Sequence, residues 1–305
     1  MHPIIKQYRM NKISRRKFIL AGTVGLAGLS VAGSGMAENL YSLANDVVVD
    51  KVKLGNSGLT VSRIAMGTGT KGYNNGSNQT RAGMDSFVKL AHHAYERGIS
   101  FYDMAEAYGS MPFVAESIKS FPRENLTLLS KIWTYEDGNE RVESAPVFLD
   151  RFRKAANTDY FDIILMHCMQ RGNWSTTRKS YMDGLSKAKQ DGIVKAVGVS
   201  CHNYDALVEA AESPWVDVIM ARINPYSKLM DGTPDQIKAI LQKAIANGKG
   251  VIGMKIFGEG QCAADEEREE SIKFSMTQQN VHCMTMGLES IAQMDDAIER
   301  VMKYV

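Results

Sequence analysis

Short apolar, β-branched runs recur along the chain at Arg63 to Met66, Ile99 to Tyr102, Leu126 to Leu129, Phe161 to Met166, Val194 to Val199, Val216 to Met220, Gly250 to Met254 and Val281 to Thr285. Runs of that length and composition predict buried strands. Between them apolar residues take helical spacing, as in Phe87, Leu90, Ala91, Ala94 and Tyr95, or Ile237, Ile240, Leu241, Ala244 and Ile245. Gly98, Gly192 and Gly248 each close a helical stretch just before the next strand, where a left-handed residue commonly ends a helix. Eight strand–helix units predict an α/β fold, a (β/α)8 barrel over residues 50–305. Val52 to Leu54 and Leu59 to Val61 flank Gly55-Asn-Ser-Gly58, which predicts a β-hairpin plugging the N-terminal end of the barrel. A doubly wound nucleotide-binding sheet would need Gly-x-Gly-x-x-Gly leading into a helix, and Gly67-Thr-Gly-Thr-Lys-Gly72 lacks that spacing.

Polar residues interrupt this pattern where strands end. Asp103 follows Tyr102, Tyr108 lies five residues on, and Lys131 and His167 close the third and fourth runs. In a barrel of parallel strands these ends share the face on which chemistry gathers. Taken singly, Asp103 and Lys131 read as a structural ion pair, Tyr108 as a loop aromatic and His167 as a core histidine. Their joint order along successive strand ends favours one shared site.

Composition changes the picture mainly at the N-terminus. The first 37 residues carry six Lys or Arg and no acid, so the remainder holds thirty basic against thirty-four acidic residues, which argues against a nucleic-acid-binding surface. Lys6 to Lys17 is basic, Phe18 to Gly33 is apolar and rich in Gly and Ala, and Gly35-Met-Ala37 is a small-residue exit. That is the layout of an export signal peptide over residues 1–37. Ser14-Arg15-Arg16-Lys17-Phe18-Ile19-Leu20 resembles the twin-arginine signal, which implies the twin-arginine export machinery as a partner and a periplasmic or exported location. The alternative is a membrane tether formed by an uncleaved signal. Cys168, Cys201, Cys262 and Cys283 form no Cys-x-x-Cys pair and read as small buried hydrophobes. No metal site is expected. His92 and His93 read as structural, and Asp265-Glu-Glu-Arg-Glu-Glu270 as a solvated helix start.

Phe101-Tyr-Asp103-Met-Ala-Glu-Ala-Tyr108-Gly109, then Leu129-Ser-Lys131, then Leu165-Met-His167, resemble the signature of the aldo/keto reductases. The resemblance extends through Gly192 to Ser200 and to Gly287-Leu-Glu-Ser290, nearly the whole chain after the leader. It implies a nicotinamide-dependent oxidoreductase reducing an aldehyde, ketone or sugar to an alcohol, or the reverse. Tyr108 would be the proton donor, Lys131 the cation tuning it, Asp103 the holder of Lys131, and His167 the donor that orients the carbonyl. The cofactor would be NADP(H) or NAD(H), held by Gly69, Thr70, Ser200, Arg222, Met254, Lys255, Gly287, Ser290 and Gln293. Several of these depart from the family pattern. Cys201-His202 follows Ser200 where Asn is common, Arg222 stands in place of Gln, and Met254 stands in place of a stacking aromatic. Thr285 to Glu299 contains no Lys or Arg to meet a 2′-phosphate. A nucleotide-binding regulatory barrel with little turnover is the competing reading; a barrel glycosidase would need paired carboxylates at the strand ends, and none is placed there.

Overall fold

Eight parallel strands close on themselves in the computed structural model, which describes residues 47–136, 139–140, 143–277 and 280–305. The expected signal, residues 1–37, lies outside the described residues. A hairpin comes first, with β1 (Lys51–Lys53) antiparallel to β2 (Thr60–Ser62) and Val52 opposite Val61. The barrel then runs through β3 (Ile64–Gly67), β4 (Phe101–Asp103) and β5 (Thr127–Trp133). After a small antiparallel pair, β6 (Tyr135–Glu136) with β7 (Asn139–Glu140), it continues with β8 (Phe161–Met169), β9 (Val194–Cys201), β10 (Val218–Arg222), β11 (Gly250–Met254) and β12 (Cys283–Met286). Pairing of Met284 with Ile64 brings β12 back to β3 and completes the ring.

Helices α1 (Asn78–Arg81) and α2 (Met84–Glu96) follow β3, α3 (Met111–Ser117) follows β4, and α4 (Ala145–Ala156) follows β7. Next come α5 (Trp174–Thr177), α6 (Lys179–Gln190), α7 (Tyr204–Glu212), α8 (Pro234–Ala246), α9 (Asp265–Met276) and α10 (Ile291–Met302). Among the described residues no helix is long and apolar enough to cross a membrane.

Strand alternation splits the apolar residues into two cores. Those facing outward, such as Met66, Tyr102, Leu128 and Ile164, pack under the helices. Those facing inward, including Ala65, Phe101, Leu129, Ile163, Leu165, Val218, Met220 and Ile252, fill the lumen. Leu54 and Val61 of the hairpin join the lumen cluster and stopper its N-terminal end. The fit there is tight: Gly55 has φ +54°, and a Cβ on it would lie 2.5 Å from the Gly250 backbone nitrogen. The lumen below is thereby filled with apolar side chains.

Two expectations change. β5 and β8 run past Leu129 and Met166, so Lys131 and His167 lie within strands, at the register Lys131 opposite Leu165 and Trp133 opposite His167. Polar side chains facing the lumen do not interrupt a backbone ladder, so the apolar run understates the strand. The acidic stretch at the start of α9 is no mere solvated face. Glu269 accepts from Arg300 at 2.9 Å, Lys303 at 3.0 Å and Tyr304 at 2.7 Å, and Asp265 also pairs with Arg300, clamping α10 to α9. His92 and His93 do serve structure: they bond to the Ser117 carbonyl at 3.0 Å and the Asp295 carboxylate at 2.8 Å.

Candidate active site

Inward-facing positions above the apolar lumen hold Asp103, Lys131 and His167, with exposures of 5%, 1% and 8%. Lys131 donates to an Asp103 carboxylate oxygen and, at 2.9 Å, to the Met104 carbonyl. The other Asp103 oxygen accepts from Thr285 Oγ1 at 2.8 Å, and its backbone carbonyl accepts from Thr68 Oγ1 at 2.8 Å. The carboxylate is thus held from β12 as well as from β5. Lys131 retains a raised pKa, because the Asp103 and Tyr108 interactions outweigh the burial that would neutralise it.

Tyr108 reaches this site from a 3-10 turn, Glu106–Tyr108, closed by Gly109 in the left-handed conformation with φ +63°. Its ring lies with its centroid 5.0 Å from Lys131 Nζ and 6.0 Å, edge-on, from the His167 ring. Gly69 and Gly72 form the wall behind it. A Cβ on Gly69 would stand 2.5 Å from Tyr108 Cζ, and one on Gly72 2.5 Å from Cδ1, so only glycines leave room for the ring. Arg151 on α4 grips the turn through Glu106, donating from Nε at 3.0 Å, and also pairs with Glu143. Burial pushes the Tyr108 phenol up and the Lys131 ammonium pulls it down; burial prevails, so the phenol keeps its proton.

His167 faces inward by alternation after Ile163 and Leu165, in regular register with β5. β8 then bulges: its register against β9 shifts between Met166 and Met169, and Cys168 takes φ +65°. The His167 Nδ1 is buried with no hydrogen-bond partner. Burial first, then Lys131, His202 and Lys255, holds its pKa well below the usual histidine range, so the imidazole is neutral and one ring nitrogen donates. Trp133 stands edge-on to it at 5.4 Å.

The nine expected cofactor residues ring the same mouth with differing company. Gly69 backs Tyr108. Thr70 accepts from Gln79 at 2.7 Å and donates to the Gly287 carbonyl at 3.2 Å, joining the β3 and β12 loops. Ser200 Oγ accepts from the Cys168 amide at 2.8 Å, bracing the bulge. Arg222 makes a two-point pair with Asp231, donating from Nε at 3.0 Å, and Lys255 pairs with Glu259. Met254 tops the lumen at 8% exposure. Ser290 caps α10, accepting from the Gln293 amide at 3.2 Å, while Gln293 Oε1 accepts from the Glu289 amide at 2.8 Å. Sequence reasoning passed over Gln79, Thr285, Trp133, Gly72 and the Arg151–Glu106 pair. Thr285 was readable: with Cys283 inward, alternation faces it inward too. All four cysteines are free and buried.

A closed parallel barrel with a lysine–carboxylate pair, a tyrosine and a neutral histidine at its C-terminal rim is built as a (β/α)8 barrel enzyme. The model of the aldo/keto reductase family matches residues 65–304, and the chain belongs to that family. It is 27% identical over 156 residues to L-galactose dehydrogenase of Arabidopsis thaliana, covering 48% of this chain and 47% of that one. It is 24% identical over 178 residues to methylglyoxal reductase DkgB of Salmonella typhi, covering 57% and 62%. The matches span about half to three-fifths of those relatives. Among solved structures, the holo form of aldo-keto reductase AKR11C1 from Bacillus halodurans aligns with TM-score 0.65 at 18% identity, covering 83% of this chain and 91% of that one. An aldo/keto reductase from Brucella melitensis aligns with TM-score 0.61 at 16% identity, covering 83% and 93%; likeness at these identities shows the fold alone. Family membership and the relatives' names support a carbonyl oxidoreductase in general.

Acid should weaken this site. His167 and His202 are both depressed, His202 to about 3 by burial and by Arg222, Lys255 and Lys131. Each stays neutral in the fold while the unfolded chain takes up a proton near its ordinary pKa of about 6.5, so stability is present above that pH and falls as pH drops below it. His202→Gln should flatten the pH dependence of urea unfolding between about pH 6 and 4 by close to one proton, about 1.4 kcal/mol per pH unit. An unchanged slope would show that His202 titrates alike in both states.

Proposed function

We propose that the chain is a nicotinamide-dependent oxidoreductase that interconverts an aldehyde, ketone or sugar with its alcohol, Tyr108 carrying the proton. One observation carries the reading: a buried, charged Lys131 held by Asp103 beside a protonated Tyr108, with a neutral His167 across the same opening. A structural ion pair alone needs neither a tyrosine cleared by two glycines nor an imidazole with an unsatisfied nitrogen.

The residues divide the work. His167 donates to the carbonyl oxygen and orients it toward Tyr108; the phenol gives its proton to the oxygen as negative charge develops there. Lys131 stabilises the phenolate left behind, and Asp103 with Thr285 keeps the ammonium in place. Trp133 and the apolar lumen keep water away from the exchange. A nicotinamide cofactor, when bound, supplies or accepts the hydride. Two features support such a cofactor: Met254 offers a polarisable thioether at the top of the lumen, and α10 begins with no acid in its first turn, where a phosphate is favoured. Glu289 beside that start and the lack of a cation over Thr285 to Glu299 favour NADP(H) no more than NAD(H).

For the first 37 residues we propose export by the twin-arginine route, on their charge and apolar pattern, with the periplasm as destination. Arg15→Lys with Arg16→Lys should retain the protein in the cytoplasmic fraction; export unimpaired by both changes contradicts that route.

Tyr108→Phe should lower kcat/KM for carbonyl reduction by about a thousandfold, within the range a positioned general acid contributes, while nucleotide affinity stays within about twofold. Wild-type turnover in the variant would remove Tyr108 from the chemistry. Nucleotide binding without turnover on any aldehyde or sugar would favour the regulatory barrel instead.

A further inference from the structure

The proton donor does not stand on a strand. Tyr108 ends a single 3-10 turn, Glu106–Tyr108, whose own bonds run from the Tyr108 amide to the Ala105 carbonyl at 3.1 Å and from the Gly109 amide to the Glu106 carbonyl at 3.2 Å. A turn of that kind is short and weakly bonded, and by itself it fixes a side chain loosely. Asp103, Lys131 and His167 are carried by β4, β5 and β8. Tyr108 is therefore the member of the site whose position needs outside support.

Support comes from two directions. On the inner side Gly69 and Gly72 back the ring, and a Cβ on Gly109 would lie 2.1 Å from the Asn75 carbonyl oxygen, so the turn cannot move toward the β3 loop. On the outer side stands Arg151, from the middle of α4. Its Nε and Nη2 donate to the same Glu106 oxygen, at 3.0 and 2.5 Å, while Nη1 and Nη2 donate to the two oxygens of Glu143, Nη2 at 3.2 Å. The Phe148 ring centroid lies 4.7 Å from the guanidinium carbon. Glu143 lies on the segment that returns from the β6–β7 pair, and its carbonyl accepts from Tyr181 on α6 at 2.7 Å. One planar cation thus ties the turn of the proton donor to the chain that leaves Trp133 and Tyr135 beside His167.

Stability is a poor reason for this arrangement. The Arg151 side chain is 41% exposed and that of Glu106 27%, so water and salt screen the pair, and such pairs add little to a fold. Both acids also have further partners, so the barrel does not hang on this contact. Position is another matter: moving a reacting group by about 1 Å costs a factor on the order of a hundred in rate. We propose that Arg151, acting through Glu106, is a positioning residue that holds the Tyr108 turn against its glycine wall and so sets the reach of the phenol toward the carbonyl oxygen. This rests on the carbonyl-reduction reading above.

Arg151→Met and Glu106→Gln in the full chain test it, on whichever member of an aldehyde and sugar panel the wild type reduces fastest. Each should lower kcat, read in single turnovers so that product release does not mask it, roughly tenfold, with KM and nucleotide affinity within about twofold. The double variant should lose no more than the larger single loss, because one contact is removed twice. Arg151→Lys keeps the charge without the planar fork and should recover part of the rate. The urea midpoint should barely move. Turnover within about twofold of wild type in both single variants overturns the proposal, and so does a loss of rate that tracks a loss of stability. A readout without turnover separates it from the reductase reading: amide exchange at Tyr108 and Gly109 should quicken in Arg151→Met relative to the rest of the barrel. Selective quickening in a protein that reduces nothing refutes the reductase reading and keeps this one; reduction at an unaltered rate with unaltered exchange does the reverse.

Discussion

Everything at the mouth of this barrel depends on keeping an ammonium charged where little water reaches it. Lys131 and Asp103 are almost fully buried, and an ion taken out of water costs several kcal/mol unless its partners replace that hydration. The surrounding structure supplies them: the Asp103 carboxylate and Met104 carbonyl for Lys131, and the Thr285 hydroxyl for the second carboxylate oxygen. Those groups come from β4, β5 and β12, so the pair exists only when the ring of strands has closed. The apolar lumen beneath, stoppered by Leu54 and Val61, keeps the attraction strong.

Around the pair the loops are held to fixed distances. The Tyr108 turn is pinned from outside by Arg151 through Glu106 and bounded inside by Gly69 and Gly72. The β8 bulge that follows His167 is braced by Ser200. Arg222 with Asp231 and Lys255 with Glu259 hold the rest of the rim, and burial, aided by these cations, keeps His202 neutral.

Much of this is legible in the sequence. Alternating apolar runs and closing glycines such as Gly98 give the barrel, because strand burial and helix termination are local properties. Asp103, Tyr108, Lys131 and His167 could be named because each follows or ends such a run. What escaped depends on distant neighbours. No local pattern tells that Gly72 clears space for Tyr108, or that Asp265 and Glu269 pair with Arg300 on the next helix. The continuation of β5 through Lys131 was hidden for a related reason: a charge inside a strand reads as its end until its partner is known.

The central claim is that the buried ion pair lowers the proton affinity that burial gives Tyr108, and it is tested most directly by titrating the phenol. With 13Cζ-labelled tyrosine, Tyr108 should titrate above the ordinary value of about 10 in the wild type, because burial outweighs Lys131. In Lys131→Met with Asp103→Asn, which removes both charges and leaves neither unpaired, it should titrate higher still. A phenol that titrates at the same pH or lower in that double variant would contradict the account.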